Sequence, residues 1–214
     1  QYDVGAPSAF AASYAPSWGR LGDLTHPAVG NHEYGTAGAA GYFGYWGARA
    51  GQAGRGWYSW DLAGWHLIAL NSNCSVVGCG AGTEQLAWLR ADLARSAARC
   101  TLAYWHHPRF SSGLHGDDGS VQPLWDALVA ARADVVVSGH DHDYERFAAR
   151  DGLRQFVAGT GGRNLYPILR PEPGSEAVAV RFGVLRLALG EGSYSWEFHT
   201  LGGGIADSGT APCA

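Results

Sequence analysis

The chain has 214 residues, 46% of them hydrophobic, and a formal net charge of −4. That length is enough for one domain with a sizeable core, and the hydrophobic share is ordinary for a globular protein. The mild acidity excludes a broad basic surface for nucleic acid, and no apolar run approaches the roughly 20 residues of a membrane helix. The sequence contains no Met, so Gln1 is read as the start of a processed or partial product rather than of translation.

In chain order, a short helix is expected near Ser8–Tyr14. Thr25–Val29 then reads as a short buried strand running into Gly30, Asn31, His32 and Glu33. Residues 35–58 are rich in Gly and aromatics and read as a long surface loop whose rings pack back on the body. Tyr58–Leu62 and Trp65–Leu70 form a pair of strands. Thr83 is placed to cap a helix running to about Arg99, with Leu86, Leu89 and Leu93 as its apolar stripe. Thr101–Trp105 is a strand ending in His106, His107 and Pro108. A helix follows over about Val121–Arg132.

Three β-branched residues, Val135–Val137, then form a buried strand that delivers Ser138, Gly139, His140, Asp141, His142, Asp143, Tyr144, Glu145 and Arg146 to its C-terminal end. Arg154–Val157 is a further strand. Phe182–Leu189 and Tyr194–Thr200 alternate as an antiparallel hairpin.

Three strand ends therefore carry polar clusters. Open α/β sheets place ligands at this rim, and neutral imidazoles and an amide oxygen are suitable donors for transition metals. His26, His66 and His199 stand alone in strand-like runs and read as structural. His107 is read as pointing away from the ligand motif, and Asp141 and Asp143 as supporting or solvated residues. Cys74, Cys79, Cys100 and Cys213 read either as two disulfides, Cys74 with Cys79 and Cys100 with Cys213, or as four reduced thiols. The first reading implies an oxidising, extracellular setting.

The ordered motifs Gly30-Asn31-His32-Glu33, His106-x-Pro108 and Gly139-His140-x-His142 resemble those of the metallophosphoesterase (calcineurin-like) superfamily. The Tyr144-Glu145-Arg146 tail and His115, nine residues after His106, resemble its purple acid phosphatase branch. This resemblance implies a single α/β domain, a four-layer α/β/β/α sandwich with mixed sheets. It implies two metal ions (Fe, Zn or Mn) and hydrolysis of a small phosphate ester by a metal-bridged hydroxide.

Carried over by motif, Asn31, His106 and His140 would bind one metal. His142 would bind the other, joined by Tyr2. His32 and His115 would act on the substrate. The branch also uses an Asp motif on its first strand and a Gly-Asp motif on its second. Neither is present here, so the first strands are expected to lie before Gln1, either within the same polypeptide or as a separate fragment. A phosphodiesterase or nucleotide hydrolase of the same superfamily, and a non-catalytic truncated metal-binding module, are the alternatives to a phosphomonoesterase.

Overall fold

The computed structural model describes residues 3–214. Its framework is a seven-stranded mixed sheet in the order β1-β2-β3-β4-β6-β5-β7. Its strands are β1 (Tyr58–Leu62), β2 (Trp65–Ala69), β3 (Cys100–Tyr104), β4 (Val135–Ser138), β5 (Tyr144–Phe147), β6 (Arg154–Ala158) and β7 (Ser175–Ala179). Strands β2, β3, β4 and β6 are parallel; β1, β5 and β7 each pair antiparallel with a neighbour. A second sheet, ordered β10-β9-β8, is antiparallel and consists of β8 (Gly183–Gly190), β9 (Ser193–Thr200) and β10 (Ile205–Pro212). The helices are α1 (Pro7–Ala9), α2 (Ala40–Trp46), α3 (Cys74–Val77), α4 (Glu84–Arg95) and α5 (Gln122–Ala130).

The parallel strands are buried on both faces, which explains their nearly continuous apolar runs. On one face, Ile68, Ala103, Val136 and Val157 pack with Leu86 and Leu89 of α4 and Leu124 and Leu128 of α5. On the other, Leu67, Leu102, Val135 and Phe156 meet Tyr194, Trp196 and Phe198 of the small sheet. Helices, large sheet and small sheet thus form three successive layers of the expected sandwich. The outer face of the small sheet alternates to solvent along β8. Among the described residues no helix is long and apolar enough to cross a membrane.

The structure corrects four readings of the sequence. Thr25–Val29 forms no strand: Pro27 lacks an N–H for a ladder, and Tyr104 and Tyr58 hydroxyls donate instead to the carbonyls of His26 (3.0 Å) and Pro27 (2.8 Å). Residues 35–58 are not merely a loop. They contain α2, whose Tyr42, Phe43 and Trp46 are buried with Phe10 and Val29 in a third cluster. Helix α4 stops at Arg95, because Ser96 is extended (φ −67°, ψ 132°) and the chain turns towards β3. Strands β7 and β10 were not anticipated; β10 contains Gly209 and Pro212, poor strand formers, and is held by its register with β9.

Both disulfides are formed, Cys74–Cys79 and Cys100–Cys213. Arg146 is held by two carboxylates. It pairs with Asp207 (2.7 Å) and Glu176, and Asp207 also accepts from Tyr144 (2.6 Å) and Trp196 (2.9 Å). One carboxylate thereby ties β5 to the small sheet.

Candidate metal centre

The site forms where the parallel strands end. β3 releases the chain at Tyr104, and His106 follows two residues on; β4 ends at Ser138, and His140 follows. His140 adopts a left-handed backbone (φ 67°), a conformation uncommon for residues other than Gly that clusters at functional positions. The turn is tight: a Cβ on the facing Gly159 would meet the Asp141 carbonyl at 1.9 Å. Gly30 is required for a similar reason, since its Cβ would come within 2.9 Å of His106 Nδ1. Glu33 closes that turn by accepting the Gly30 N–H at 2.6 Å.

His106, His140 and Asn31 converge. His106 Nε2 lies 2.8 Å from Asn31 Oδ1 and 3.2 Å from His140 Nδ1. Two ligands each about 2.1 Å from one ion, and at right angles to each other, lie about 3.0 Å apart. The donor set is two imidazole nitrogens and an amide oxygen, so these three residues fit a transition-metal ion.

His142 is oriented separately. Its Nδ1–H donates to the Asn164 carbonyl at 2.6 Å, which leaves Nε2 with a lone pair, the usual arrangement behind a metal-ligating histidine. Tyr166 stacks on its ring at 4.0 Å and 13°. No carboxylate joins His142 in a metal-sized cluster among the described residues. Tyr2, its expected companion, lies outside them.

His32 and His115, the two histidines expected to act on the substrate, are each held by a backbone contact. His32 Nδ1–H donates to the Asp3 carbonyl at 2.6 Å. The His115 ring lies 4.2 Å from that of His140, and its backbone N–H donates to Asp141 Oδ1 at 2.8 Å. Asp141 is therefore not solvated: it is fully buried, also accepts Ser111 Oγ at 2.5 Å, and holds the loop that carries His115. Asp143 is equally buried, and neither carboxylate oxygen finds a hydrogen-bond partner. Burial, with Asp141 and Glu145 nearby, pushes its carboxyl up to about 7.

His107 belongs to the cluster rather than pointing away from it. One ring nitrogen from each of His106, His107 and His140 falls within a 4.8 Å group. Ser72 Oγ, 2.8 Å from His107 Nδ1, also accepts the His107 N–H at 2.8 Å and so fixes the ring from β2's end. Asn164, Tyr166 and Ser72 had no local signal in the sequence, because each acts through a contact made only by the fold.

Burial, followed by the neighbouring imidazoles, drives His106 well below its ordinary value. Burial, then His107 and His115, lowers His140 to about 4 from 6.5. Both rings are therefore neutral donors in mildly acidic solution. Ordinary imidazoles would yield a metal to protons as pH falls through 6.5; these should hold it until pH approaches 4. Folding of the metal-free chain follows pH in the same direction. Between those values the unfolded state binds protons that the folded state does not, so stability falls as pH falls. Calorimetric titration with Zn²⁺ is expected to give an affinity at pH 5 within about tenfold of that at pH 7; binding already abolished at pH 6 would contradict this.

A paired-sheet α/β sandwich with a histidine cluster at its strand ends defines the class of protein. The chain belongs to the calcineurin-like phosphoesterase family, whose model matches residues 3–144. Among curated proteins it is similar to purple acid phosphatase 22 of Arabidopsis thaliana, at 32% identity over 161 residues. That match covers 67% of this chain and 36% of the relative, so the chain spans about a third of the relative's length.

Among solved structures it resembles purple acid phosphatase PPD1 from yellow lupin (Lupinus luteus) seeds. The TM-score is 0.76 and the identity 19%, over 88% of this chain and 38% of that one. It also resembles a dimetal phosphatase from Danio rerio, with TM-score 0.63 and 15% identity over 99% of this chain and 81% of that one. These two likenesses concern the fold.

Proposed function

We propose that this chain carries the metal site of a phosphoric monoester hydrolase of the acid phosphatase type. The observation that supports this best is the convergence of Asn31 Oδ1, His106 Nε2 and His140 Nδ1, with His115 beside them, in a family of phosphoesterases. Asn31, His106 and His140 would hold one ion, and His142, with Tyr2, would contribute to a second. Iron, zinc and manganese all suit these donors. Such ions, when bound, supply Lewis-acid neutralisation of phosphoryl oxygens and acidify water.

The chain's own residues supply the rest. Asn31 and the imidazoles are neutral, so they leave the positive charge of the centre available to a dianionic ester. His32, with Nδ1–H committed to the Asp3 carbonyl, presents Nε2 to the ester; protonated there, it delivers a proton to the leaving oxygen. His115 is held by Asp141 on the same side as His140 and orients the ester's alcohol portion. The two disulfides suit an oxidising compartment, which favours an extracellular location.

Rates for p-nitrophenyl phosphate and bis(p-nitrophenyl) phosphate, measured side by side on the metal-loaded protein, test the reading. The monoester is expected to be faster by about tenfold or more, a difference of ~1.4 kcal/mol in barrier. The reverse ratio would make the protein a diesterase, and no turnover of either would leave a binding module.

A further inference from the structure

Beside His115 the surface folds into a cavity of about 330 Å³. One wall is residues 111–117 and the other residues 169–172. The walls are joined through Ser112. The Leu169 and Arg170 N–H groups donate to its carbonyl (3.0 and 3.4 Å), and the Glu172 N–H donates to its Oγ (2.7 Å). Ser112 is itself fixed from below, donating through N–H and Oγ to the two oxygens of buried Glu145 (2.8 and 2.5 Å). The cavity is therefore built into the fold and does not need a ligand to form, and its size is at the lower end of small-molecule pockets.

Its charges are unevenly paired. Asp117 faces Arg109 at 3.6 Å, and Glu172 faces Arg150 at 3.2 Å. Arg170 is exposed and pairs with no carboxylate among the described residues, so it is the cavity's uncompensated cation. A guanidinium matches a carboxylate or phosphate in two-point geometry. His115 stands between this cavity and His140. An ester with its phosphoryl group at His106 and His140 would therefore direct its alcohol portion past His115 into the cavity.

Resting on the phosphomonoesterase reading, we infer that the cavity is the leaving-group subsite. Arg170 there selects esters whose alcohol portion carries a second anionic group, a carboxylate or a further phosphate. The matched pair glycerol 2-phosphate and 2-phosphoglycerate, which differ by a hydroxymethyl group against a carboxylate, tests this on the metal-loaded protein, with p-nitrophenyl phosphate as reference.

The wild-type kcat/KM is expected to favour 2-phosphoglycerate by about tenfold, the scale of one charge-assisted contact at an open site. In Arg170→Gln the ratio should fall towards one, while the glycerol 2-phosphate and p-nitrophenyl phosphate rates stay within about twofold, as for a surface change away from the chemistry. A wild-type ratio near one, or an unchanged ratio in Arg170→Gln, overturns the inference alone. Failure of all three esters overturns it together with the phosphomonoesterase reading.

Discussion

Replacing His140 is expected to remove phosphatase activity by a factor of about 10³ or more, equivalent to ~4 kcal/mol of transition-state stabilisation. His140 Nδ1 and His106 Nε2 are 3.2 Å apart and share one centre, so removal of either ring leaves too few donors for tight binding. The backbone at this residue requires a particular choice of variant. His140 sits at φ 67°, where Ala is strained and Gly is at ease. His140→Gly, which supplies no donor, should therefore keep the thermal transition within a few degrees of wild type while losing both metal and turnover. His140→Ala should lose the same activity with an additional destabilisation of about 1 kcal/mol. A folded His140→Gly protein that hydrolyses p-nitrophenyl phosphate at more than a tenth of the wild-type rate would contradict this assignment.

The second large effect is on stability. Cys100 and Cys213 are separated by 113 residues, and their bond joins the start of β3 to the C-terminal tail. In the chain-entropy account, a loop of that length restricts the unfolded state by about 4–5 kcal/mol, whereas a loop the size of that closed by Cys74–Cys79 gives about 2 kcal/mol. Strand β10 is held by β9 as far as Pro212, and two further hydrogen bonds fix the last two residues. Ala214 N–H donates to Asp134 at 2.7 Å and Cys213 N–H to the Gly192 carbonyl at 2.9 Å. Asp134 also accepts the Thr101 N–H at 2.7 Å, so loss of the bond would loosen contacts around β3 as well. Cys100→Ser with Cys213→Ser should lower the melting temperature by on the order of 10 °C. Cys74→Ser with Cys79→Ser should lower it by less than half as much, as read by scanning calorimetry. Equal shifts for the two pairs would count against loop closure as the source of stability.

The three polar motifs were legible because each follows a β-branched or apolar run, two of them through a Gly and the third directly at His106-His107-Pro108, a pattern that survives without tertiary information. The direction of His107 was misread for an identifiable reason. Strand alternation would send it opposite to His106, but β3 ends at Tyr104, and beyond that point alternation no longer governs direction.

The burial of Asp141 and Asp143 was also hidden. Charged residues in a Gly-His-Asp-His-Asp turn read as supporting or solvated; the loop from Ser111 to His115 and the approach of Gly159 enclose them and leave the first of these readings. The aromatic run from Tyr42 to Trp46 lies against the body because Gly41, in the same helix, packs against Gly5: a Cβ on Gly41 would meet that carbonyl at 2.0 Å. Pro27 could have warned against a strand at Thr25–Val29 from sequence alone. Asn164 and Tyr166 could not have been found that way, since their role depends on a loop returning from beyond β6 onto His142.

The central claim is that phosphate-ester hydrolysis depends on a metal held by Asn31, His106 and His140. The most direct measurement is parallel elemental analysis and p-nitrophenyl phosphate turnover on protein stripped by a chelator and then titrated with Zn²⁺, Mn²⁺ or iron, wild type beside His140→Gly. Turnover should vanish on stripping and return in proportion to metal bound, and His140→Gly should neither retain metal nor regain turnover. Turnover that persists in the stripped protein, or equal metal uptake and activity in the variant, would contradict the account.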